Sequence, residues 1–409
     1  MSDLEQVVQQ EWGRLVALLL SQFRRLDLVE DALGDAVESA SRTWPADGTP
    51  DTPAAWLLTA ARRRVLDRLR TEAVARRKLP LVRTDVERHM AGARSMADSG
   101  SLVEDDVLRL VLMCAHPALA PEAASALSLR LVLGVPTADI ARLFLVTEPT
   151  MAARITRAKK RIVGAGIPFA VPDASVLPKR LDLVAQTAYL AFTAGYSPGS
   201  GPDLLRADLA GEAVRLGRTV LGLRPDEPVL MALLALMLFQ HSRRDARVVD
   251  GQLVLLTDQD RRRWHGEDID EAICLLAAPC LAGPVTPLTA SYVLQARIAA
   301  EHATAPAAAD TRWDRIVGMH DLLLQVAPSP SARLARAVAV AEDRGAAAGL
   351  SALGGLGIPD SHRPAAVRAE LLSRAGDVDA ARAAYDQAIA ACRNDVERAH
   401  LQGRLDALG

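Results

Sequence analysis

Residues 136–162, with the sequence PTADIARLFLVTEPTMAARITRAKKRI, decide how the rest of the chain is interpreted. The spacing of their apolar residues predicts two short helices joined by a tight turn at Leu145-Val146. Thr137 is placed to cap the first helix and Thr147 the second, because a threonine oxygen accepts a hydrogen bond from a first-turn N–H. Pro149 fits the first turn, where N–H groups have no partner within the helix. The stretch therefore predicts a helix-turn-helix.

The second of these helices has one apolar face and is otherwise basic. Its predicted inner face consists of Met151, Ile155, Ala158 and Ile162. Its basic residues, with no acid between Thr150 and Ile162, are Arg154, Arg157, Lys159, Lys160 and Arg161. The DNA major groove accepts such a helix: residues at its start reach base edges, while arginine and lysine neutralise phosphates. The alternative is a helical hairpin whose basic face is simply solvated.

The composition predicts an all-α protein. The chain has 409 residues, 50% hydrophobic and 3% aromatic, which is enough for two or three domains. Alanine, leucine, valine and arginine dominate without sustained alternation of β-branched residues, so almost no sheet is expected. The net charge is −2, but residues 60–90 hold ten basic residues against four acids. Such local basic charge is what phosphate contacts require.

No metal, cofactor or membrane segment is predicted. The four cysteines lack metal-ligand spacing, which favours reduced thiols in a cytoplasmic protein. The longest apolar run, residues 229–239, is shorter than the roughly 20 residues that span a bilayer, and no signal peptide is recognised. His265 with neighbouring carboxylates is a weak metal signal without a second soft ligand. No nucleophile–base pair or glycine-rich phosphate loop is found, so no enzyme activity is expected.

The N-terminal part predicts two helices. The first covers residues 4–24; the second begins with a capping box of Asp27 and Glu30 and ends at Trp44-Pro45. Acids recur on an outer face of the second helix at Asp31, Asp35 and Glu38. They form either a solvated acidic face or a docking surface for a basic partner.

A loop and a third helix follow. Residues 45–53 contain three prolines and a glycine and are expected to form a loop. The third helix runs from about Ala54 to Arg70 and carries Trp56 ahead of a basic stripe. An aromatic next to basic residues suits single-stranded or melted nucleic acid, although Trp56 is as readily a core residue. Residues 75–100 lose apolar periodicity and predict a linker, after which Ser101 and Glu104 predict a capping box.

The C-terminal half, from about residue 172, predicts a succession of amphipathic helices separated by proline and glycine. Gly376, Ala381, Tyr385 and Ala388 have the spacing of the second half of a tetratricopeptide repeat. The region is therefore interpreted as a tetratricopeptide-like helical array. The polar segment 259–265 is either a ligand contact or a hydrogen-bond network that holds helices together.

Four stretches in order give the chain its resemblance to an extracytoplasmic-function sigma factor of bacterial RNA polymerase, within the sigma-70 family. Residues 29–37 (VEDALGDAV) are similar to region 2.2, and residues 53–70 (PAAWLLTAARRRVLDRLR) to regions 2.3 and 2.4. Residues 126–130 (ALSLR) follow, and residues 140–160 are similar to region 4.2.

The resemblance extends to the subgroup that carries a long helical C-terminal extension. The stretches that carry it are residues 116–119 (HPAL), 189–196 (YLAFTAGY), 258–261 (DQDR) with Trp264, and 336–342 (RAVAVAE). The chain departs from the subgroup at Thr193-Ala194, where Asn-Glu is usual, and at Arg63, where region 2.4 commonly has asparagine. Residues 152 and 153 are both alanine where relatives often place polar base readers, so promoter specificity does not transfer.

The resemblance implies functional residues at matching positions. Binding of the core polymerase is implied for Asp31, Asp35 and Glu38. Capture of a flipped base of the −10 promoter element is implied for Asp47, Thr49, Thr52 and Trp56, with phosphates held by Arg62, Arg63 and Arg64. Reading of the −35 element is implied for Thr147, Glu148, Thr150, Arg154, Arg157 and Lys160.

Four segments and one leading function follow. The predicted segments are region 2 (residues 1–74), a linker (75–100), region 4 (101–168) and the helical extension (172–409). The function implied is an alternative sigma factor that binds core RNA polymerase and promoter DNA, with the extension regulating it through an intramolecular contact. The alternatives are a helix-turn-helix regulator with a tetratricopeptide-like effector domain, and a helical scaffold whose basic faces are only solvated.

Overall fold

The computed structural model describes residues 3–75, 100–196, 207–249, 251–356, 358 and 361–408. The all-α prediction is confirmed: these residues form eighteen α-helices and one short hairpin. Within this part of the chain, no helix is long and apolar enough to cross a membrane.

The first eight helices are α1 (Asp3–Phe23), α2 (Leu26–Asp47), α3 (Pro53–Ala75), α4 (Gly100–Cys114), α5 (Pro121–Leu133), α6 (Thr137–Leu143), α7 (Glu148–Gly164) and α8 (Leu177–Tyr196). The next are α9 (Ala207–Leu223), α10 (Pro228–His241), α11 (Gly266–Leu276), α12 (Pro287–Thr304) and α13 (Trp313–Val326). The last are α14 (Pro330–Arg344), α15 (Ala346–Leu353), α16 (Arg363–Ala375), α17 (Val378–Ala391) and α18 (Asp395–Asp406). Between α10 and α11, strands β1 (Val248–Val249) and β2 (Gln252–Leu253) pair antiparallel.

The chain divides into two compact units. Unit 1 comprises residues 1–142 and 146–187, and unit 2 comprises residues 143–145 and 188–409. Apart from residues 143–145, unit 1 therefore contains both segments that the sequence assigns to promoter recognition, and unit 2 contains most of the predicted extension.

Helix α1 forms the centre of unit 1. It packs against α2, α3, α4 and α5, and its apolar stripe is buried at Trp12, Leu15 and Leu19. Gly13 lies so close to α5 that a Cβ at this position would come 2.2 Å from the carbonyl oxygen of Val132. A side chain of any size is excluded at this crossing, so the glycine permits the close approach of the two helices.

Two sequence predictions about α2 are wrong. The helix begins at Leu26, with Arg25 in the capping position, so Asp27 and Glu30 form no capping box. Asp27 pairs instead with Arg25 at 2.7 Å, and Glu30 turns into the core. The helix also continues through Pro45 to Asp47, because a proline in the last turn removes only one intrahelical hydrogen bond.

Three further helix starts were predicted. Helix α3 begins at Pro53, so the loop between α2 and α3 is shorter than the predicted 45–53. Thr137 is the first residue of α6 and not its cap, since the carbonyl of Pro136 accepts the N–H groups of Asp139 and Ile140. The capping box predicted for Ser101 and Glu104 is not tested, because their side chains lie outside the described part of the chain. The predicted linker also lies outside it, apart from residues 75 and 100.

Unit 2 is built around α10. This helix is buried along nearly its whole length and packs against α9, α11 and α12. From α12 to α18, helices that are consecutive in the chain are also neighbours in space. The spacing that suggested a repeat is confirmed as a packing pattern: Gly376 has φ +85° at the end of α16, while Ala381, Tyr385 and Ala388 are buried in α17.

Candidate nucleic-acid interface

Helices α6 and α7 form the predicted helix-turn-helix. The turn has Leu145 with φ +55°, and the N–H of Val146 donates to the carbonyl of Ala141 at 3.0 Å. Thr147 caps α7 as predicted: its Oγ1 accepts the N–H of Thr150 at 3.4 Å and lies 2.8 Å from the hydroxyl of that residue. These contacts fix the direction in which α7 begins.

Helix α7 separates apolar and basic residues as the sequence predicts. Met151, Ile155, Ala158 and Ile162 are all buried. Outside this face, Thr147, Glu148, Thr150, Arg157 and Lys160 are exposed, and Arg154 is half-buried. None of Arg154, Arg157, Lys160 and Arg161 forms an ion pair with an acid that the structure describes. The face therefore presents uncompensated positive charge, which is what phosphate groups attract.

Lys159 is the exception on α7. Its ammonium group ion-pairs with the carboxylate of Glu30 on α2, and only 19% of the lysine side chain is exposed. Arg130 on α5 binds the other oxygen of the same carboxylate, with Nε 2.6 Å from Oε1. Its guanidinium lies over the ring of Trp12, 5.4 Å from the centroid. One acid of α2 thus joins α5 and α7, and Arg130 extends the contact to Trp12 of α1.

The sequence does not predict this group of Glu30, Arg130, Lys159 and Trp12, called the Glu30 cluster below. Glu30 is 6% exposed. Burial, with a smaller contribution from the nearby Glu30 charge, raises the pKa of the Cys114 thiol. Two separate signals were available, namely an acid within the apolar stripe of α2 and a basic residue in the apolar segment 126–132. Their partnership spans 100 residues, and no local pattern reveals it.

The acids predicted to bind polymerase lie along one side of α2. Asp35 lies 2.8 Å from Arg68 and 3.7 Å from Arg64, and Asp31 lies 3.3 Å from Arg68. Glu38 pairs with Arg42 at 3.2 Å, and both side chains are about two-thirds exposed. The surface therefore alternates acids of α2 with arginines, rather than being purely acidic. Exposed pairs of this kind exchange readily with external charges.

A cavity of about 410 Å³ opens where α2 meets α3. Its walls include Trp44 and Trp56, whose rings meet edge to face with centroids 5.5 Å apart. Asp47 and Thr49 line the same cavity, so three of the four residues predicted for base capture come together. The volume lies in the range of small-molecule sites.

The cavity also corrects details of the prediction. Thr52 is exposed and is not a lining residue; its carbonyl accepts the N–H of Trp56 at 3.1 Å. Thr43 and Trp44 also line the cavity. The sequence pattern does not indicate them, because Trp44-Pro45 resembles the end of a helix. Trp44 is buried, and its Nε1 has no hydrogen-bond partner among the described residues.

The three arginines predicted to hold phosphates differ in their surroundings. Arg63 is exposed, whereas Arg62 and Arg64 are half-buried. Arg64 is the member that lies near Asp35. In the described residues, Arg62 and Arg63 form no ion pair with an acid. Two of the three guanidinium groups are therefore uncompensated on α3, the helix that also carries Trp56.

The polar segment of unit 2 forms a hydrogen-bond network. Arg261 donates to the carbonyls of His302 and of Ala305, the latter at 3.0 Å, and its guanidinium lies 4.6 Å from the centroid of Trp264. His265 lies 2.7 Å from Asp245. The second of the two interpretations of residues 259–265 thus has direct support, since the segment links α12 to the chain that follows α10.

Unit 2 also contains potential metal ligands. Within the described residues, one group of three such side chains comes together: His362, Cys392 and Glu397 have ligand atoms within 4.8 Å of one another. His362 precedes α16, Cys392 follows α17, and Glu397 lies in the first turn of α18. The sequence predicts no metal site, and no spacing motif connects these three residues.

The helix-turn-helix of unit 1 belongs to a recognised class of DNA-binding module. Residues 109–162 match sigma-70, region 4, which spans the end of α4 and all of α5, α6 and most of α7. This match supports a sigma-70 family factor, with a role in transcription that involves RNA polymerase and promoter DNA. Residues 180–279 match a family of unknown function, DUF6596, which covers α8 to α11.

The nearly full-length relative defines the family. Uncharacterized protein R00370 of Rhizobium meliloti (strain 1021) is 41% identical over 396 residues, which cover 95% of this chain and 92% of the relative. The chain belongs to the same family as that protein. Among solved structures, the crystal structure of yeast Tom70 aligns with a TM-score of 0.36 at 11% identity, covering 99% of this chain and 85% of that one.

Proposed function

We propose that the protein is an alternative sigma factor of the extracytoplasmic-function type, which binds core RNA polymerase and directs it to promoters. The observation that carries the proposal is the exposed basic face of α7 within a sigma-70 region 4 match. In this role α7 enters the major groove of the −35 element. Thr147, Glu148 and Thr150 are near the base edges, and Arg157 and Lys160 contact phosphates.

The cavity between α2 and α3 supports the second half of the proposal. Melting DNA at the −10 element requires that a base leave the stack, which costs a few kcal/mol. A pocket with aromatic walls and polar groups compensates this cost by stacking and hydrogen bonding. Trp56 and Trp44 provide the walls, while Asp47 and Thr49 provide the polar groups. Arg62 and Arg63 hold the neighbouring phosphates.

The acidic residues of α2 are the proposed contact with core polymerase. Asp31, Asp35 and Glu38 face a basic surface of the polymerase and exchange their internal arginine partners for external ones. The protein catalyses no reaction itself; it positions the polymerase. The helices of unit 2 regulate this activity in cis.

Co-elution with bacterial core RNA polymerase tests the polymerase contact. The variant Asp31→Asn/Asp35→Asn removes two charges without changing side-chain size, and we expect a several-fold loss of affinity that grows smaller as salt is added. Asp105→Asn on α4, which is also exposed, is the matched control and retains binding. Equal binding by all three proteins contradicts the assignment of these acids.

A chain that ends at Thr187 tests the regulatory role of unit 2. It retains every residue of unit 1. We expect its promoter-directed transcription to differ from that of the full chain. The comparison requires that the shortened chain is folded, with the helical content expected for unit 1. Unchanged transcription contradicts regulation in cis. If the full chain ignores core polymerase yet binds duplex DNA, the helix-turn-helix regulator with an effector domain replaces the sigma-factor proposal.

A further inference from the structure

The ends of three helices in unit 2 bring together a thiol, an imidazole and a carboxylate. Nε2 of His362 lies 3.1 Å from Oε2 of Glu397, and Sγ of Cys392 completes a group whose ligand atoms all lie within 4.8 Å. Cys392 is 4% exposed, and the side chains of His362 and Glu397 are 14% and 17% exposed. The group is therefore nearly enclosed by protein.

The donor set points to one class of ion. Sulfur, nitrogen and oxygen donors together suit borderline-soft divalent ions such as Zn²⁺, whereas Mg²⁺ and Ca²⁺ prefer oxygen ligands alone. A divalent ion with a thiolate, a carboxylate and a neutral imidazole carries no net charge. Enclosing this neutral assembly costs far less than enclosing an isolated ion.

The surroundings hold the ligands in place. Oε1 of Glu397 lies 3.4 Å from Nη2 of Arg363, which leaves Oε2 directed at His362. Asn394 is fully buried, and its Oδ1 accepts the N–H groups of Val396 and Glu397 at 3.1 and 3.0 Å. Such outer contacts orient ligands and tune affinity in known metal sites.

An open coordination position is expected on one side. A cavity of about 510 Å³ in unit 2 is lined by His362 and Glu397 as well as by leucines and Trp313. Three protein ligands leave a fourth tetrahedral position for water or for a ligand that enters from this cavity.

From these contacts we propose that His362, Cys392 and Glu397 form a binding site for a zinc-class divalent ion at the α16–α17–α18 junction. The site does not depend on the sigma-factor proposal. The sequence gives no hint of it, because 29 residues separate His362 from Cys392 and the helices between them create the proximity.

Co²⁺ titration of the chelator-treated full chain tests the site. We expect one equivalent to bind and to produce the near-ultraviolet band of a thiolate–Co²⁺ bond, and Zn²⁺ to displace it. Cys392→Ala abolishes the band, and Glu397→Gln weakens Co²⁺ binding at least tenfold. Cys274→Ala removes an exposed cysteine and leaves the band intact.

A second histidine–carboxylate pair provides a matched control. Nε2 of His265 lies 2.7 Å from Oδ2 of Asp245, but this pair belongs to no group of three potential ligands among the described residues. We therefore expect His265→Gln to retain Co²⁺ binding and His362→Gln to lose it. If Cys392→Ala fails to fold, the wild-type chain still decides the matter: bound Zn²⁺ slows alkylation of Cys392 but not of Cys274. Absence of a thiolate band, or equal alkylation rates with and without Zn²⁺, overturns the proposal.

Discussion

At the scale of single residues, Glu30 connects α2 to two other helices of unit 1. Its buried carboxylate contacts Arg130 and Lys159, which come from two different helices of the region 4 match. A buried acid is tolerated only when opposite charges and hydrogen bonds offset its lost hydration. Removing the acid leaves two largely buried cations without a counter-charge, whereas losing an exposed pair has little effect.

The first prediction concerns this acid. Glu30→Gln lowers the free energy of unfolding by about 3 kcal/mol, because two partly buried cations lose their counter-charge. Urea unfolding of the full chain measures the change. Glu38→Gln, which breaks the exposed pair with Arg42, is the matched control and changes stability by less than about 0.5 kcal/mol. Equal effects of the two substitutions contradict the buried cluster.

A second residue prediction concerns pH. Burial, with a smaller effect of Arg244, lowers the pKa of His241 to about 4. The unfolded chain, whose histidine has a pKa near 6.5, therefore takes up a proton first as pH falls, and stability present above pH 6.5 is lost toward pH 4. Between pH 7 and 5 this amounts to about 2 kcal/mol. Urea unfolding at several pH values measures this effect. We expect His241→Gln to remove that part of the pH dependence of the free energy of unfolding, and an unchanged dependence contradicts the prediction.

At the scale of elements, α7 and its cap were predictable because their signals are local. A threonine followed by a proline, an apolar residue every three or four positions and uninterrupted basic charge all lie within 16 residues. The start of α2 was mispredicted because Asp27 and Glu30 also satisfy a local rule. Their actual partners decide their roles: Asp27 pairs with the neighbouring Arg25, and Glu30 pairs with Arg130 and Lys159, which lie far away in the sequence.

The basic face of α7 makes a prediction about DNA. The variant Arg157→Ala/Lys160→Ala binds duplex promoter DNA more weakly, and the slope of log affinity against log salt falls by about 2, since each phosphate contact contributes roughly 0.9. Fluorescence anisotropy at several salt concentrations measures this slope. Lys179→Ala, an exposed lysine at the start of α8, leaves it unchanged. A slope that is insensitive to the double substitution favours a merely solvated face.

The crossing of α1 and α5 makes another prediction. Gly13→Ala places a methyl group against the carbonyl of Val132 and destabilises the protein by about 1–3 kcal/mol, the usual range for overpacking. Gly34→Ala in α2, where no atom lies within 4 Å of the added Cβ, stabilises it by about 0.5–1 kcal/mol. Thermal unfolding should therefore show a lower melting temperature for Gly13→Ala and a higher one for Gly34→Ala. A higher melting temperature for both variants contradicts the close crossing.

At the scale of the whole molecule, the helical class and the helix-turn-helix were predictable from the sequence, whereas long-range groupings were not. Apart from residues 143–145, the two segments that the sequence assigns to promoter recognition lie in unit 1. The aromatic cavity includes Trp44, near a helix end that local rules placed too early. The His362, Cys392 and Glu397 group likewise depends on how three helices end near one another. Such groupings are set by tertiary packing, which no local pattern in the sequence encodes.

The most direct test of the central claim is promoter opening by the full chain with bacterial core RNA polymerase. Permanganate reactivity of unpaired thymines is measured on promoter fragments. We expect discrete opening that requires both proteins, is reduced at least tenfold by Trp56→Ala, and is unaffected by Thr52→Ala, since Trp56 lines the cavity and Thr52 does not. Duplex binding without any polymerase-dependent opening contradicts the sigma-factor account.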